Sequence, residues 1–214
     1  MLKGIVFDLD GTLIHSLPVT LDGFNFAIET LGEKKRSYTE IMSHFGLGED
    51  KIFEKILGPH KAVEAYDIFK KYTQDHLPQI ALHNEVSELL ELIKTHRIPT
   101  SIVTGRSWQT TEVILKHHGL LDSFISIIAH DHVTRPKPSP EGIHLALDQM
   151  KLQPHEICYV GDSAVDILAS HSAGAHSIAA LWDDLVHLET LTHHQPHHCA
   201  QTPLQVWDIW KKLS

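Results

Sequence analysis

Cysteine is scarce in this chain of 214 residues, which contains only Cys158 and Cys199. Two cysteines are too few for a disulfide framework, and Cys158 lies in an apolar run typical of a protein core. Long apolar runs are also missing, because none reaches the ~18 residues that a membrane span needs. The N-terminus lacks a basic segment followed by an apolar one. We therefore expect a cytoplasmic protein without a membrane partner.

Positive charge is the second shortage. The chain has 18 lysines and arginines against 27 aspartates and glutamates, for a formal net charge of −9 with histidine neutral. This balance disfavours a broad surface for nucleic acid or for an anionic membrane, since both need an excess of lysine and arginine. A small positive pocket for a single phosphate is still compatible with the sequence.

Two carboxylates follow the first apolar run of the chain, Gly4-Ile5-Val6-Phe7. The run is typical of a strand that is buried on both faces. Asp8 and Asp10 are two residues apart, so in an extended chain their side chains point to the same side. Two acids at one place repel each other unless a cation lies between them, and Mg²⁺ prefers oxygen ligands. The pair therefore predicts a magnesium site after this strand.

Beyond Leu13 the pattern divides the chain into two parts. From 16 to 82 we find helical periodicity and no convincing strand, which predicts an inserted all-helical domain. From 83 onward, strands alternate with helices, which predicts a doubly wound parallel sheet with helices on both faces. The predicted α/β core thus comprises 1–15 and 83–214. The predicted strands of its second part are Pro99–Thr104, Ile125–Ala129, Glu156–Gly161 and His176–Leu181.

Polar residues follow the ends of these predicted strands. In parallel α/β folds, ligands bind beyond the carboxyl ends of the strands, so residues far apart in sequence converge there. Thr104-Gly105, Lys137 and Asp162 all occupy such positions, and Asp166 lies one helical turn after Asp162. We expect these side chains to share one crevice with the Asp8–Asp10 pair. Arg106 could reach an anion there or be solvated, and Arg135 could equally be exposed to solvent.

Asp8-Leu9-Asp10-Gly11-Thr12-Leu13, together with the three later segments, resembles the four signatures of the haloacid dehalogenase-like hydrolases. Within that superfamily the chain is most similar to the phosphoglycolate phosphatase-like group, which carries a helical C1-type cap and a Rossmann-like core. The resemblance implies a Mg²⁺-dependent phosphatase that hydrolyses a small phosphorylated metabolite through an aspartyl-phosphate. The implied catalytic residues are Asp8 as nucleophile, Asp10 as general acid and base, Lys137 and Thr104. The implied substrate contacts are Thr104, Gly105, Lys137 and Thr12, and the implied metal ligands are Asp8, Asp10, Asp162 and Asp166.

Several alternatives remain open at this stage. The same residues could serve a phosphosugar mutase of the β-phosphoglucomutase kind, an inorganic pyrophosphatase, or a catalytically silent binding protein. A homodimer is compatible with the sequence, which does not specify the oligomeric state.

Two segments near the C-terminus stand apart from the resemblance. The histidines and cysteine of 193–199 could bind Zn²⁺ or Ni²⁺, but we expect a solvated loop there. Trp182-Asp183-Asp184 stands where such phosphatases commonly have glycine-rich sequence.

Overall fold

The structure, a computed structural model, describes residues 1–184, 191 and 193–214. Its main sheet has six strands in the order β5-β4-β1-β6-β7-β8, and every neighbouring pair is parallel. A separate pair, β2 and β3, is antiparallel. The strands are β1 Gly4–Phe7, β2 Ile14–His15, β3 Ala81–Leu82, β4 Thr100–Val103, β5 Ser126–Ile128, β6 Ile157–Gly161, β7 His176–Ala180 and β8 His198–Ala200.

Helices flank this sheet and also form the inserted segment. The helices are α1 Leu17–Thr30, α2 Tyr38–Met42, α3 Glu49–Leu57, α4 Pro59–Asp75, α5 Val86–Thr95, α6 Trp108–His117, α7 Glu141–Met150, α8 Ala164–Ala173 and α9 Pro203–Leu213. The predicted doubly wound α/β fold is therefore confirmed. Among the described residues, no helix is both long and apolar enough to cross a membrane.

Strand β1 is the centre of the core because its side chains feed two apolar clusters. Ile5 and Phe7 belong to one cluster and Val6 belongs to the other, so alternate residues point to opposite faces of the sheet. All three side chains are fully buried. The strand pairs with β4 on one side and β6 on the other, which brings three carboxyl ends together.

Helices α1 to α4 form a cap with an apolar cluster of its own. Phe24 lies at its centre, with its ring 4.7 Å from both Phe53 and Phe69. The β2–β3 pair forms the two crossings between cap and core, with Ile14 opposite Leu82. That the cap, predicted over 16–82, and the core of 1–15 and 83–214 are separate domains remains a prediction.

The structure corrects two local expectations. Ala81–Leu82 is a strand within the segment expected to be helical, because it pairs with the outgoing chain at β2. His198 and Cys199 lie in β8, an edge strand, rather than in a solvated loop.

Candidate active site

Lys137 is buried between two carboxylates at the carboxyl end of the sheet. Its ammonium lies 3.0 Å from Asp8 Oδ1 and 2.6 Å from Asp166 Oδ1, and its side chain is 7% exposed. It also donates to Tyr159 Oη at 3.2 Å and to the Val103 carbonyl at 3.4 Å. Burial opposes its charge, but the two carboxylates outweigh burial and hold the pKa of Lys137 well above its ordinary value. Lys137 is thus a fixed cation facing Asp8.

Asp166 lies behind Lys137 and is fully buried. Its Oδ1 accepts from Lys137 and from Tyr159 Oη, and its Oδ2 accepts from the backbone and hydroxyl of Ser163. Gly161 allows this placement, because a Cβ there would lie 2.4 Å from the Asp166 carboxyl carbon. Asp166 therefore holds Lys137 and the start of α8 in place. Its carboxylate also lies close to those of Asp8 and Asp162, two other predicted metal ligands.

Asp162 follows β6 and packs against the turn after β1. Gly11 has a φ of +73°, and a Cβ there would lie 2.2 Å from Asp162 Oδ2, so only glycine fits. Thr12 Oγ1 donates to Asp162 Oδ1 at 3.4 Å. The Thr12 side chain is fully buried, and its contact with a substrate remains a prediction. In this structure Thr12 positions a carboxylate.

Asp8, Asp162 and Asp166 form a compact acidic group. Each offers a carboxylate oxygen, and the three oxygens lie within 4.8 Å of one another. Burial, together with Asp166 and Asp10, raises the pKa of Asp8 to about 7 despite the opposing charge of Lys137. Burial, together with Asp166 and Asp8, raises the pKa of Asp162 well above its ordinary value. The group offers only oxygen ligands, and burial disfavours the ionised forms of Asp8 and Asp162, so a hard divalent cation such as Mg²⁺ fits it.

Asp10 is paired with Arg106. For Arg106 the sequence left both contact with an anion and exposure to solvent open. Arg106 Nε lies 3.0 Å from Asp10 Oδ2, Arg106 Nη2 lies 2.5 Å from Asp10 Oδ1, and Ser16 Oγ also donates to Oδ1. The Arg106 side chain is only 3% exposed. Burial acts to raise the pKa of Asp10, but Arg106 and Ser16 outweigh it and the pKa lies below its ordinary value. Asp10 is therefore ionised in this arrangement.

Glu49 connects the cap to this pair. It begins α3, is 5% exposed, and lies 3.5 Å from Arg106 Nη1. Its carboxylate also accepts from the Ser107 backbone N–H at 2.8 Å and from Thr110 Oγ1 at 2.7 Å. Sequence reasoning missed Glu49, because an acid at a helix N-terminus ordinarily reflects the helix dipole. The cap thus contacts the segment after β4 through a buried carboxylate.

The remaining predicted residues divide between the cavity and the surface. Thr104 is 4% exposed, and its Oγ1 accepts from the Arg106 backbone N–H at 3.1 Å. Gly105 lines the cavity beside it. Arg135 is exposed and pairs with Glu141 at 3.3 Å, away from the acidic group.

A cavity of about 370 Å³ lies between the core residues and the cap. Asp8, Asp10, Lys137 and Asp162 line its core side. The cap side is mainly apolar, with a single acid among the described residues. Its lining residues are Leu17, Thr20, Phe24, Met42, Phe45, Gly46, Leu47, Glu49 and Ile52. Such a cavity can hold one anionic group at its floor and an uncharged group against the cap.

The histidines of the C-terminal segment do not join this site. His193 is exposed, while His197 Nδ1 contacts Ser177 Oγ at 2.8 Å on the far edge of the sheet. Within residues 1–184, 191 and 193–214, no group of three potential metal ligands includes a member of the 193–199 segment. Residue 192 and residues 185–190 lie outside the described part.

Comparison with known proteins identifies the family. The haloacid dehalogenase-like hydrolase profile matches residues 5–180, and the chain belongs to this family. A phosphoglycolate phosphatase of Photobacterium profundum is 29% identical over 83% of this chain and 82% of its own length. A pyrophosphatase PpaX of Bacillus cereus is 28% identical over 83% of this chain and 82% of its own.

A solved structure shares the fold. It is described as a predicted phosphoglycolate phosphatase from Haemophilus somnus and has a TM-score of 0.86. It is 24% identical and covers 97% of both chains.

Proposed function

We propose that this chain is a Mg²⁺-dependent phosphatase that hydrolyses a small phosphomonoester through an aspartyl-phosphate at Asp8. The observation that carries the proposal is the buried Lys137, held 3.0 Å from the Asp8 carboxylate at the floor of the cavity. A fixed cation there can bind a phosphoryl oxygen next to an anionic nucleophile. The names of the phosphoglycolate phosphatase relatives support the same class of reaction.

In the first step, an Asp8 carboxylate oxygen attacks phosphorus and the bond from phosphorus to the leaving oxygen breaks. Lys137 and Thr104 bind phosphoryl oxygens, and Asp10 gives its proton to the leaving oxygen. In the second step, water attacks phosphorus, Asp10 takes its proton, and the bond from phosphorus to Asp8 breaks. Phosphate is released and both carboxylates return to their starting state.

The first step requires a protonated Asp10, whereas Asp10 is ionised beside Arg106 in this structure. We propose that a bound phosphoryl group draws Arg106 away from Asp10. Burial would then raise the pKa of Asp10, which would allow it to carry the proton for the leaving group. Arg106 thereby sets the protonation of Asp10 in response to substrate.

The carboxylates of Asp8 and Asp162 and the backbone carbonyl of Asp10 would hold Mg²⁺. When bound, the ion neutralises charge on the phosphoryl oxygens. Asp166 was predicted as a ligand, and its four hydrogen bonds favour a positioning role for it toward Lys137 and Ser163.

The cap side of the cavity favours an uncharged leaving group. Phe24, Phe45 and Leu47 offer apolar surface there, and Glu49 would repel a second anionic group. We therefore propose a phosphorylated cytoplasmic metabolite whose remainder is neutral and partly apolar. Inorganic pyrophosphate is the second candidate, favoured by the pyrophosphatase relatives, and would require Arg106 to bind its second phosphate.

The experiment measures phosphate release from a panel that includes an aryl phosphate, phosphoglycolate, pyrophosphate and a sugar phosphate. We expect Mg²⁺-dependent release, fastest for neutral leaving groups. Asp8→Asn should lower turnover by at least about 10³-fold, in the range seen when a nucleophile is removed. Asp148→Asn is the matched control, because Asp148 is exposed on α7.

Wild-type turnover by Asp8→Asn would contradict the nucleophile assignment. Faster release from pyrophosphate than from every monoester would favour the second candidate. An isomerised sugar phosphate without net phosphate release would favour a mutase, and no turnover across the panel would favour a silent binding protein.

A further inference from the structure

Three side chains meet where the cap joins the core, outside the active site. His15 lies on the outgoing strand β2, His83 follows the returning strand β3, and Asp183 follows β7 of the core sheet. His15 Nδ1 lies 2.9 Å from Asp183 Oδ2, and His83 Nε2 lies 3.3 Å from the same oxygen. One donor atom from each of the three lies within 4.8 Å of the others.

The surrounding backbone fixes this arrangement. The backbone N–H of His83 donates to the Leu13 carbonyl at 3.1 Å, which joins the two crossings. Trp182 Nε1 donates to the Thr12 carbonyl at 2.9 Å, which holds the Asp183 segment against the outgoing chain. The three side chains therefore meet because of contacts among their own segments.

This cluster is too deeply buried to be a simple contact between surface side chains. The Asp183 side chain is fully buried, and the His83 side chain is only 9% exposed. His83 Nε2 is inaccessible to solvent and has no hydrogen-bond partner, although it lies 3.3 Å from Asp183 Oδ2. A buried polar nitrogen without a hydrogen-bond partner normally costs free energy, so the interaction of His83 Nε2 within this cluster is unaccounted for.

We propose that His15 Nδ1, His83 Nε2 and Asp183 Oδ2 bind Zn²⁺. Two imidazole nitrogens and one carboxylate oxygen, with a fourth position for water, are an established donor set for this ion. Tetrahedral zinc with bonds of ~2.0–2.1 Å separates its ligand atoms by about 3.3 Å, close to the two distances from Asp183 Oδ2, 2.9 and 3.3 Å. The active-site group contains only oxygen donors, so the two sites select different ions.

A bound ion would connect both crossings between cap and core to the core sheet. Any movement of either crossing relative to the core sheet would shift His15 or His83 relative to Asp183. The ion would therefore restrain that movement. His15 also precedes Ser16, whose hydroxyl donates to Asp10, so the restraint extends to the catalytic carboxylate.

The test measures Zn²⁺ binding to the full chain, prepared without a histidine tag and stripped of metal by a chelator. Excess Mg²⁺ occupies the oxygen site, and Zn²⁺ is titrated against a chromophoric chelator. We expect one tight equivalent. His15→Gln and His83→Gln should each weaken it by at least about 10-fold, the lower end of the loss seen when even a group supporting a metal ligand is removed.

A second histidine cluster provides the matched control. His171 lies 4.9 Å from His197, ring to ring, beside a smaller cavity. His171→Gln removes a histidine without touching the proposed ligands and should leave the tight equivalent unchanged. Co²⁺ bound to the wild-type chain should give the visible absorption of a tetrahedral site, and Zn²⁺ should abolish it.

Absence of a tight equivalent in the wild-type chain would overturn the proposal. So would equal loss in the His171→Gln control, or undiminished binding in both His15→Gln and His83→Gln. If His83→Gln fails to fold, His15→Gln decides, because its side chain is 40% exposed and tolerates replacement. Circular dichroism of the metal-free variants establishes that they are folded. None of these readouts depends on phosphatase activity.

Discussion

Arg106→Met tests the largely buried charge pair that joins Asp10 to the cap. The change removes the hydrogen bonds to Asp10 at 3.0 and 2.5 Å and the contact with Glu49 at 3.5 Å. Breaking a buried ion pair by removing one partner costs about 3–5 kcal/mol, because it leaves an uncompensated buried charge. For a chain of this size, each kcal/mol lowers Tm by about 2–4 °C, so we expect a decrease of about 6–20 °C.

The deficit should depend on pH in a defined direction. In the wild-type chain the pKa of Asp10 is depressed, so its contribution to stability is present above the unfolded pKa and is lost as pH falls through the folded pKa. Without Arg106, burial raises the pKa of Asp10, and the folded variant binds a proton that the unfolded chain releases. The difference in stability should therefore be largest at neutral pH and shrink toward about pH 4.

The assay is calorimetric unfolding of both chains without metal across this pH range. Arg135→Met is the matched control, because Arg135 is largely exposed, and it should change stability by less than about 0.5 kcal/mol. Glu49→Gln added to Arg106→Met should recover part of the lost stability, since it removes one of the two carboxylates that Arg106→Met leaves without a cation. A deficit below about 1 kcal/mol, or one independent of pH, would refute the account of Arg106, because a broken buried pair costs several times more.

Three further predictions concern the acidic group. Mg²⁺ affinity, measured by calorimetry, should fall about tenfold per pH unit below about 7, because protons compete for Asp8; a flat profile would contradict its raised pKa. Lys137→Met should lower turnover by at least about 10²-fold and increase the pKa of Asp8, as followed by the pH dependence of unfolding; unchanged turnover would exclude Lys137 from catalysis. Gly11→Ala should weaken Mg²⁺ binding at least about tenfold, because its methyl group displaces Asp162, whereas Gly32→Ala, with open space at a similar φ of +76°, should strain the backbone alone and leave binding intact.

The convergence of Asp8, Lys137 and Asp162 could be predicted because it follows from topology. Each residue lies beyond the carboxyl end of a strand or in a loop reaching it, and parallel strands bring these ends together. The alternation of strand and helix patterns along the chain was therefore enough to predict the doubly wound sheet. Whether these residues perform the proposed chemistry remains a prediction.

Features that depend on contacts between cap and core were not predictable in the same way. Glu49 and Arg106 meet only after the cap folds onto the core, and neither segment carries a local pattern that specifies the other. Strand β8 was not predicted. It pairs at the sheet edge through backbone hydrogen bonds, and its histidine-rich sequence lacks the apolar pattern that indicates a strand. The meeting of His15, His83 and Asp183 likewise depends on how three segments cross.

Direct detection of phosphorylated Asp8 tests the central claim most directly. In the proposed mechanism Asp10→Asn retains the nucleophile but lacks the base for the second step, so an aryl phosphate with a good leaving group should let the adduct accumulate. Borohydride reduction of the quenched protein converts an aspartyl-phosphate into homoserine, which mass spectrometry locates in the sequence. We predict homoserine at position 8, dependent on both substrate and Mg²⁺. Turnover without this product at position 8, or with it at another aspartate, would contradict the account.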